Sequence, residues 1–170
     1  MSRNHAAREQ QGAGIHSLFL REEALDQGVE LLYLAERCFA EAIEDTLARC
    51  GLTRAGHRAL YFARRHPGLG VSQLKALLGL SKANLARLMR QLIERGLMTV
   101  DPAPVDRRQR LVRLTAAGEA LLDEVAAAQR RRLGQAYRMA GADAVAGYRA
   151  VLRSLIEPRL RRLLPDDGAA

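Results

Sequence analysis

Arg107, Arg108, Arg110 and Arg113 crowd one short stretch of the chain, beside Pro102 and Pro104. So much positive charge on one loop repels itself unless a polyanion is close. Phosphate is the common polyanion, and an arginine at a loop tip also suits the negative potential of a narrow minor groove. Asp106 sits among these cations. The expectation is a charge-assisted pair, bidentate if the geometry allows, in which its carboxylate orients the Arg108 guanidinium before any ligand arrives. The competing account is a solvated basic turn with an incidental surface ion pair, which is worth little.

A second set of residues lies just upstream. Over Ser81–Arg95 the apolar positions Leu85, Leu88, Met89 and Leu92 repeat at helical spacing and form an inward face. Asn84, Arg87 and Gln91 fall on the opposite stripe, with Lys82 in the exposed first turn. Asn and Gln pair with adenine, and Arg or Lys with guanine, along the edges that bases offer in a major groove. Ser81 is suited to cap this helix, since its hydroxyl accepts an unpaired N–H of the first turn. Gly96 is suited to end it, since it takes the left-handed conformation cheaply. An ordinary amphipathic helix with a solvated polar face has the same pattern. The arginine loop that follows is what favours the nucleic-acid reading.

The elements that must position these residues are short. Val71–Leu78 reads as a helix, Gly79–Leu80 as a turn, and Ser81–Arg95 as the second helix. Leu97–Val100 and Leu111–Leu114 read as β-strands, with a tip at Asp101–Arg110 between them. Helix, turn, helix and basic hairpin together make a winged helix-turn-helix, a DNA reader.

The segment DRRQRLVRLT, Asp106–Thr115, resembles the wing signature of MarR-family transcriptional regulators: Asp-x-Arg, then an apolar strand ending in Leu-Thr. Leu80-Ser81, Leu92–Gly96 and Thr115–Gly118 are also similar to that family, and the resemblance runs from about Leu25 to Leu164. It implies that Asp106 and Arg108 carry the wing's DNA contact. It also implies a homodimer on a palindromic operator, often answering to a small-molecule effector. Some relatives sense peroxide through a cysteine in the first long helix. Cys38 falls later in that helix, so the role is not carried over, and a small buried hydrophobe is the expectation.

The rest of the chain reads as a helical base. A single long helix is expected over about Glu22–Arg49, with an apolar band from Leu25, Val29, Leu32, Phe39, Ile43 and Leu47 that Leu31, Leu34 and Cys38 broaden. So broad a band suits burial against two neighbours, one of them across a dimer. Thr53 caps a helix to Arg65, in which His57 and Tyr61 lie one turn apart and are candidates to line an effector pocket. Thr115 caps a long helix to about Met139, and Arg130–Arg132 reads as a solvated block on it. Gly141 breaks it, Asp143 is expected to cap a last helix, and Pro158 divides that one. The fold class is mainly α with a small β-wing: a winged helix-turn-helix lobe (51–118) on a helical dimerisation region (21–50 and 119–170), preceded by a flexible arm (1–20).

Composition agrees. Lys and Arg number 27 against 19 Asp and Glu, a formal net charge of +8 that favours a polyanionic partner. Aromatic residues are 4% and Trp is absent, so the core is Leu, Ala and Val, as in helices packed on helices. The polar N-terminus and the absence of a long apolar run point to a cytoplasmic chain with no membrane span. Cys38 and Cys50 form neither a disulfide framework nor a zinc spacing, and His5, His16, His57 and His66 form no metal cluster, so no metal or cofactor is expected. No enzyme motif stands out: the chain has no phosphate-binding glycine loop, nucleophile elbow or metalloprotease pair. The expected function is a sequence-specific, dimeric regulator bound to double-stranded DNA. The alternatives are a non-sequence-specific or architectural nucleic-acid binder and a protein-interaction module.

Overall fold

The structure is a computed structural model and describes residues 19–164. Most of the N-terminal arm and the Asp166-Asp167 tail lie outside them. The chain divides into two compact units, one ending at Glu41 and the other beginning at Ala42. The first unit holds α1 (Glu22–Glu41). The second holds α2 (Glu44–Arg49), α3 (Arg54–Arg65), α4 (Val71–Leu78), α5 (Lys82–Glu94), β1 (Met98–Pro102), β2 (Arg110–Leu114), α6 (Ala116–Ala140), α7 (Ala142–Leu155) and α8 (Pro158–Arg161).

The expected single helix over Glu22–Arg49 is therefore two. α1 stops at Glu41, and α2 starts after Ile43, whose φ of −120° is not helical. Neither Gly nor Pro marks the break in the sequence. Ile43 is buried in the core of the second unit, and Glu44 with Asp45 places two acids in a new first turn, where they favour the positive end of the helix dipole. The Glu44 carboxylate accepts two hydrogen bonds from the Arg54 guanidinium, at 2.9 and 2.7 Å, tying the start of α2 to the start of α3.

Three helices begin on a hydroxyl cap. Thr53 accepts from the Gly56 N–H at 3.0 Å, Ser81 from Asn84 at 3.2 Å and Thr115 from Gly118 at 3.1 Å. The side chain of Gln73 accepts from the Gly70 N–H and closes the first turn of α4. At the far end α7 departs from expectation. Its N-cap is Gly141, at φ +82°, and Asp143 lies inside the first turn. α8 begins on Pro158, where a missing N–H costs nothing.

The core of the second unit is built from residues of every layer of the lobe. Leu60 (α3), Leu74 (α4), Leu92 (α5), Met98 (β1), Val112 (β2), and Leu122 with Val125 (α6) are fully buried. β1 and β2 pair antiparallel with Met98 opposite Leu114 and Pro102 opposite Arg110. Each strand is displaced from its expected bounds. β1 starts one residue later and runs through Pro102, and β2 begins at Arg110. The Val112 N–H also donates to the Leu69 carbonyl at 2.9 Å, so the segment before α4 lies along β2 as a third short rung.

Candidate nucleic-acid interface

The buried side of α5 is the expected one: Leu85, Leu88, Met89 and Leu92 all enter the core. Ser81, Lys82, Asn84, Arg87 and Gln91 are all exposed. Asn84, Arg87 and Gln91 place donors, acceptors and positive charge along one stripe of the helix, with Lys82 and the N-cap Ser81 exposed at its start. Arg90, not among the residues expected to face DNA, is exposed on the same helix one turn past Arg87. Its signal is its spacing, three residues from Arg87.

The wing tip runs from Ala103 to Gln109. The Ala103 N–H donates to the Gln109 carbonyl and the Gln109 N–H to the Asp106 carbonyl, each at 2.9 Å. Asp106 has a different task from the one expected. Its Oδ1 accepts from the backbone N–H of Arg108 at 2.9 Å, so the carboxylate holds the turn and not the guanidinium. Asp does this readily, because its short side chain reaches its own backbone two residues on. Arg107 and Arg108 project from that turn, both exposed. Val105, also at the tip, is 100% exposed. Arg110 is not a tip residue; it starts β2. Arg113, further along the strand, lies 3.9 Å from the Asp101 carboxylate on the neighbouring strand. Of the four arginines, two stand at the tip and two on the hairpin's flank.

The joint between α5 and the wing is fixed from α6. The Thr115 hydroxyl donates to the Gly96 carbonyl at 2.6 Å, and the Thr115 N–H donates to the Leu97 carbonyl at 3.2 Å. Gly118 packs so closely that a Cβ there would overlap the Leu97 carbonyl oxygen. Thr115, expected as a cap and as the end of the wing signature, thus also ties the end of α5 to the start of α6.

His57 and Tyr61 are neighbours, with ring centroids 6.3 Å apart. His57 is only 5% exposed, and among the described residues its Nε2 has no hydrogen-bond partner. Burial, and then the nearby charge of Arg58, hold its pKa below the ordinary histidine value. Tyr61 is exposed. Neither residue lines the cleft of about 280 Å³ between the α2–α3 turn and α5, whose walls include Leu52, Gly56, Leu88 and Gln91. Among the described residues no group of His, Cys, Asp and Glu is placed to hold a metal ion, and no helix is long and apolar enough to cross a membrane. Cys38 and Cys50 are both half-buried free thiols. Arg130 lies 4.0 Å from Asp123, and Arg131 and Arg132 are exposed on α6.

A helix pair with a polar outward face, followed by a two-stranded arginine-tipped wing, defines a winged helix-turn-helix DNA-binding protein. The MarR family profile matches residues 51–109. The HTH-type transcriptional regulator PetP of Rhodobacter capsulatus is 41% identical over 145 residues, which is 85% of this chain and 87% of PetP. Among solved structures, CouR from Rhodococcus jostii RHA1, bound to p-coumaroyl-CoA, is 27% identical with a TM-score of 0.64, over 78% of this chain and 93% of that one. The reduced form of MarR from E. coli, 23% identical, shares the fold with a TM-score of 0.58 over 75% of this chain and 95% of its own. The chain belongs to the MarR family of transcriptional regulators.

Proposed function

We propose that two copies of this chain read a palindromic operator in double-stranded DNA. In each copy α5 lies in a major groove, and the wing reaches the adjacent minor groove. The observation that carries the reading is that Ser81, Lys82, Asn84, Arg87 and Gln91 are all exposed on or at the start of α5, and that the hairpin following it ends in a turn with Arg107 and Arg108 exposed. Asn84 and Gln91 suit adenine edges, Lys82 and Arg87 suit guanine, Arg108 suits the minor groove, and Arg107 and Arg110 suit phosphate. Asp106 contributes through the turn it holds. Residues 51–118 are the reading lobe, and 21–50 with 119–170 are the pairing region.

Pairing is supported by what the single chain leaves bare. Leu25, Leu31, Leu32 and Leu34 of α1, and Val151 and Leu155 of α7, are exposed apolar side chains. Such surface on a lone subunit marks an interface. A two-fold pair would set its reading helices about 34–36 Å apart, one turn of duplex. We include a small-molecule effector in the proposal because CouR, a relative of the same fold, was solved with p-coumaroyl-CoA bound. An effector acts on such a pair only by binding one arrangement of the lobes better than the other. His57 and Tyr61 are our candidates for its pocket. We assign the protein to the cytoplasm, where its DNA is, and give it a binding role and no catalytic one.

The test is selection from a random duplex library with the purified protein. An inverted repeat with half-sites about one helical turn apart supports the reading. On the selected duplex, Arg108→Ala should weaken binding by about 1–3 kcal/mol with the dimer intact. Equal binding to selected and scrambled duplexes would instead establish a non-specific, architectural binder.

A further inference from the structure

We propose that Arg95 is a positioning residue for the reading helix, fixing the C-terminal end of α5 against the turn that closes α2. The inference rests on the reading of α5 as the helix that enters the groove. α2 and α5 end in the same way. At the end of α2, the Leu52 N–H donates to the Leu47 carbonyl at 2.8 Å and the Gly51 N–H to the Ala48 carbonyl at 3.0 Å, around Gly51 at φ +58°. At the end of α5, the Leu97 N–H donates to the Leu92 carbonyl at 2.9 Å and the Gly96 N–H to the Ile93 carbonyl at 2.8 Å, around Gly96 at φ +65°. Both are glycine-centred turns that satisfy the last carbonyls inside each helix and leave those of the turn itself facing outward.

Arg95 joins the two turns. It is the C-cap of α5, and its guanidinium donates from one Nη to the Gly51 carbonyl and from the other to the Cys50 carbonyl, both at 2.6 Å. A planar fork with two parallel donors matches two successive carbonyls, and a cation at the negative end of α2 gains from the helix dipole as well. The backbone ties of Arg95 thus belong to α5 and its side-chain ties to α2.

The space between the same two elements makes this tie consequential. A cleft of about 280 Å³ opens beside this contact, lined by Leu52 and Gly56 on one side and Leu88 and Gln91 on the other, while Leu52, Leu88 and Leu92 are buried in the common core. Arg95 lines the cleft too, and its two charge-assisted hydrogen bonds add a directional polar tie to that packing. Gln91, the last residue of the exposed row, lies one turn before Arg95 and itself lines the cleft. Releasing the tie frees the end of α5 next to Gln91, while Thr115 still holds the wing side through the Gly96 carbonyl. The expected consequence is lost discrimination between duplexes with the overall attraction to DNA retained.

The experiment compares wild type, Arg95→Ala and Arg95→Lys on the duplex that the wild type selects from a random library, and on a scrambled duplex of the same composition. Binding is followed by fluorescence anisotropy across a salt series, with the thermal midpoint of each variant measured alongside. Arg95→Ala should bind the selected duplex about tenfold more weakly, a loss of about 1.4 kcal/mol, with binding to the scrambled duplex and its salt slope unchanged. Arg95→Lys should recover only part of the loss, because an ammonium keeps the charge but not the fork. If Arg95→Ala fails to fold, the lysine variant decides: full wild-type discrimination in it overturns the proposal. So does an undiminished affinity of Arg95→Ala for the selected duplex. Equal losses on both duplexes, with a salt slope shallower by about 0.9, would make Arg95 a phosphate contact and also overturn it. A wild-type chain that enriches no sequence refutes the operator reading and this role together, whereas enrichment with an unaffected Arg95→Ala refutes this role alone.

Discussion

At the scale of single residues, Asp106 separates what a sequence can say from what it cannot. Its neighbours placed it beside Arg108, and the structure keeps it there. Which atom of Arg108 it holds was not legible. An exposed aspartate two positions before an arginine can reach that arginine's guanidinium or its backbone N–H, and both choices share one spacing. The backbone choice makes a sharp prediction. Asp106→Asn keeps an acceptor oxygen for the Arg108 N–H and should bind operator within about twofold of wild type, while Asp106→Ala should lose about 0.5–1.5 kcal/mol. Equal losses in both variants, measured by titration at matched salt, would restore the ion-pair account.

His57 carries a second residue-scale prediction. Burial disfavours its charged form, so its folded pKa lies below the ordinary 6.5 that the unfolded chain keeps. The unfolded state then binds more protons over the window beneath 6.5, and stability falls as pH falls through that window toward the folded pKa. Thermal midpoints measured from pH 8 to pH 5 should decline for the wild type and decline less for His57→Gln. His66, whose pKa is lowered more by burial than by the charge of Arg65, contributes in the same direction and leaves a residual slope in that variant. Identical slopes in the two proteins would mean that His57 is solvated in solution.

Helices and strands were largely legible wherever local chemistry marks their ends. Thr53, Ser81 and Thr115 each stand at a helix start, and all three hydroxyls accept the N–H three residues on. Ser81→Ala should therefore cost about 1 kcal/mol of unfolding free energy in a urea titration. The break at Ala42–Ile43 was not legible, because no turn-forming residue marks it and the apolar period continues through it. Tertiary packing decides there, with Ile43 drawn into the core. The fit of Gly118 under the wing was equally hidden. No pattern within one segment reports that a backbone carbonyl from another lies where a Cβ would be. Gly118→Ala should destabilise by roughly 1–3 kcal/mol, more than Ser81→Ala, since neither backbone can yield without moving β1 against α6. A urea midpoint that does not move would show that the joint is looser than drawn.

The whole molecule poses the question of number. A formal charge of +8 on one chain attracts any duplex, so charge by itself cannot make the protein choose among sequences. Choice needs several base contacts made at once, and a short reading helix offers few. Doubling the helix on a palindrome makes the second contact intramolecular and multiplies affinity with no new residue. The unpaired apolar surface is where such doubling would be built. On α7, Tyr148, Val151 and Leu155 follow one another at spacings of three and four and are all exposed, Leu155 at 62%. Two like charges on that row would have to be buried unpaired in any interface that uses it. The wild type should sediment at twice the 18.7 kDa of one chain, and Val151→Glu with Leu155→Glu should sediment as a single chain. With far-UV circular dichroism unchanged, its affinity for the selected duplex should fall by roughly tenfold or more, and for a single half-site hardly at all. A wild type that sediments as one chain, or a double variant that stays paired, would move the interface off α7 or remove it altogether.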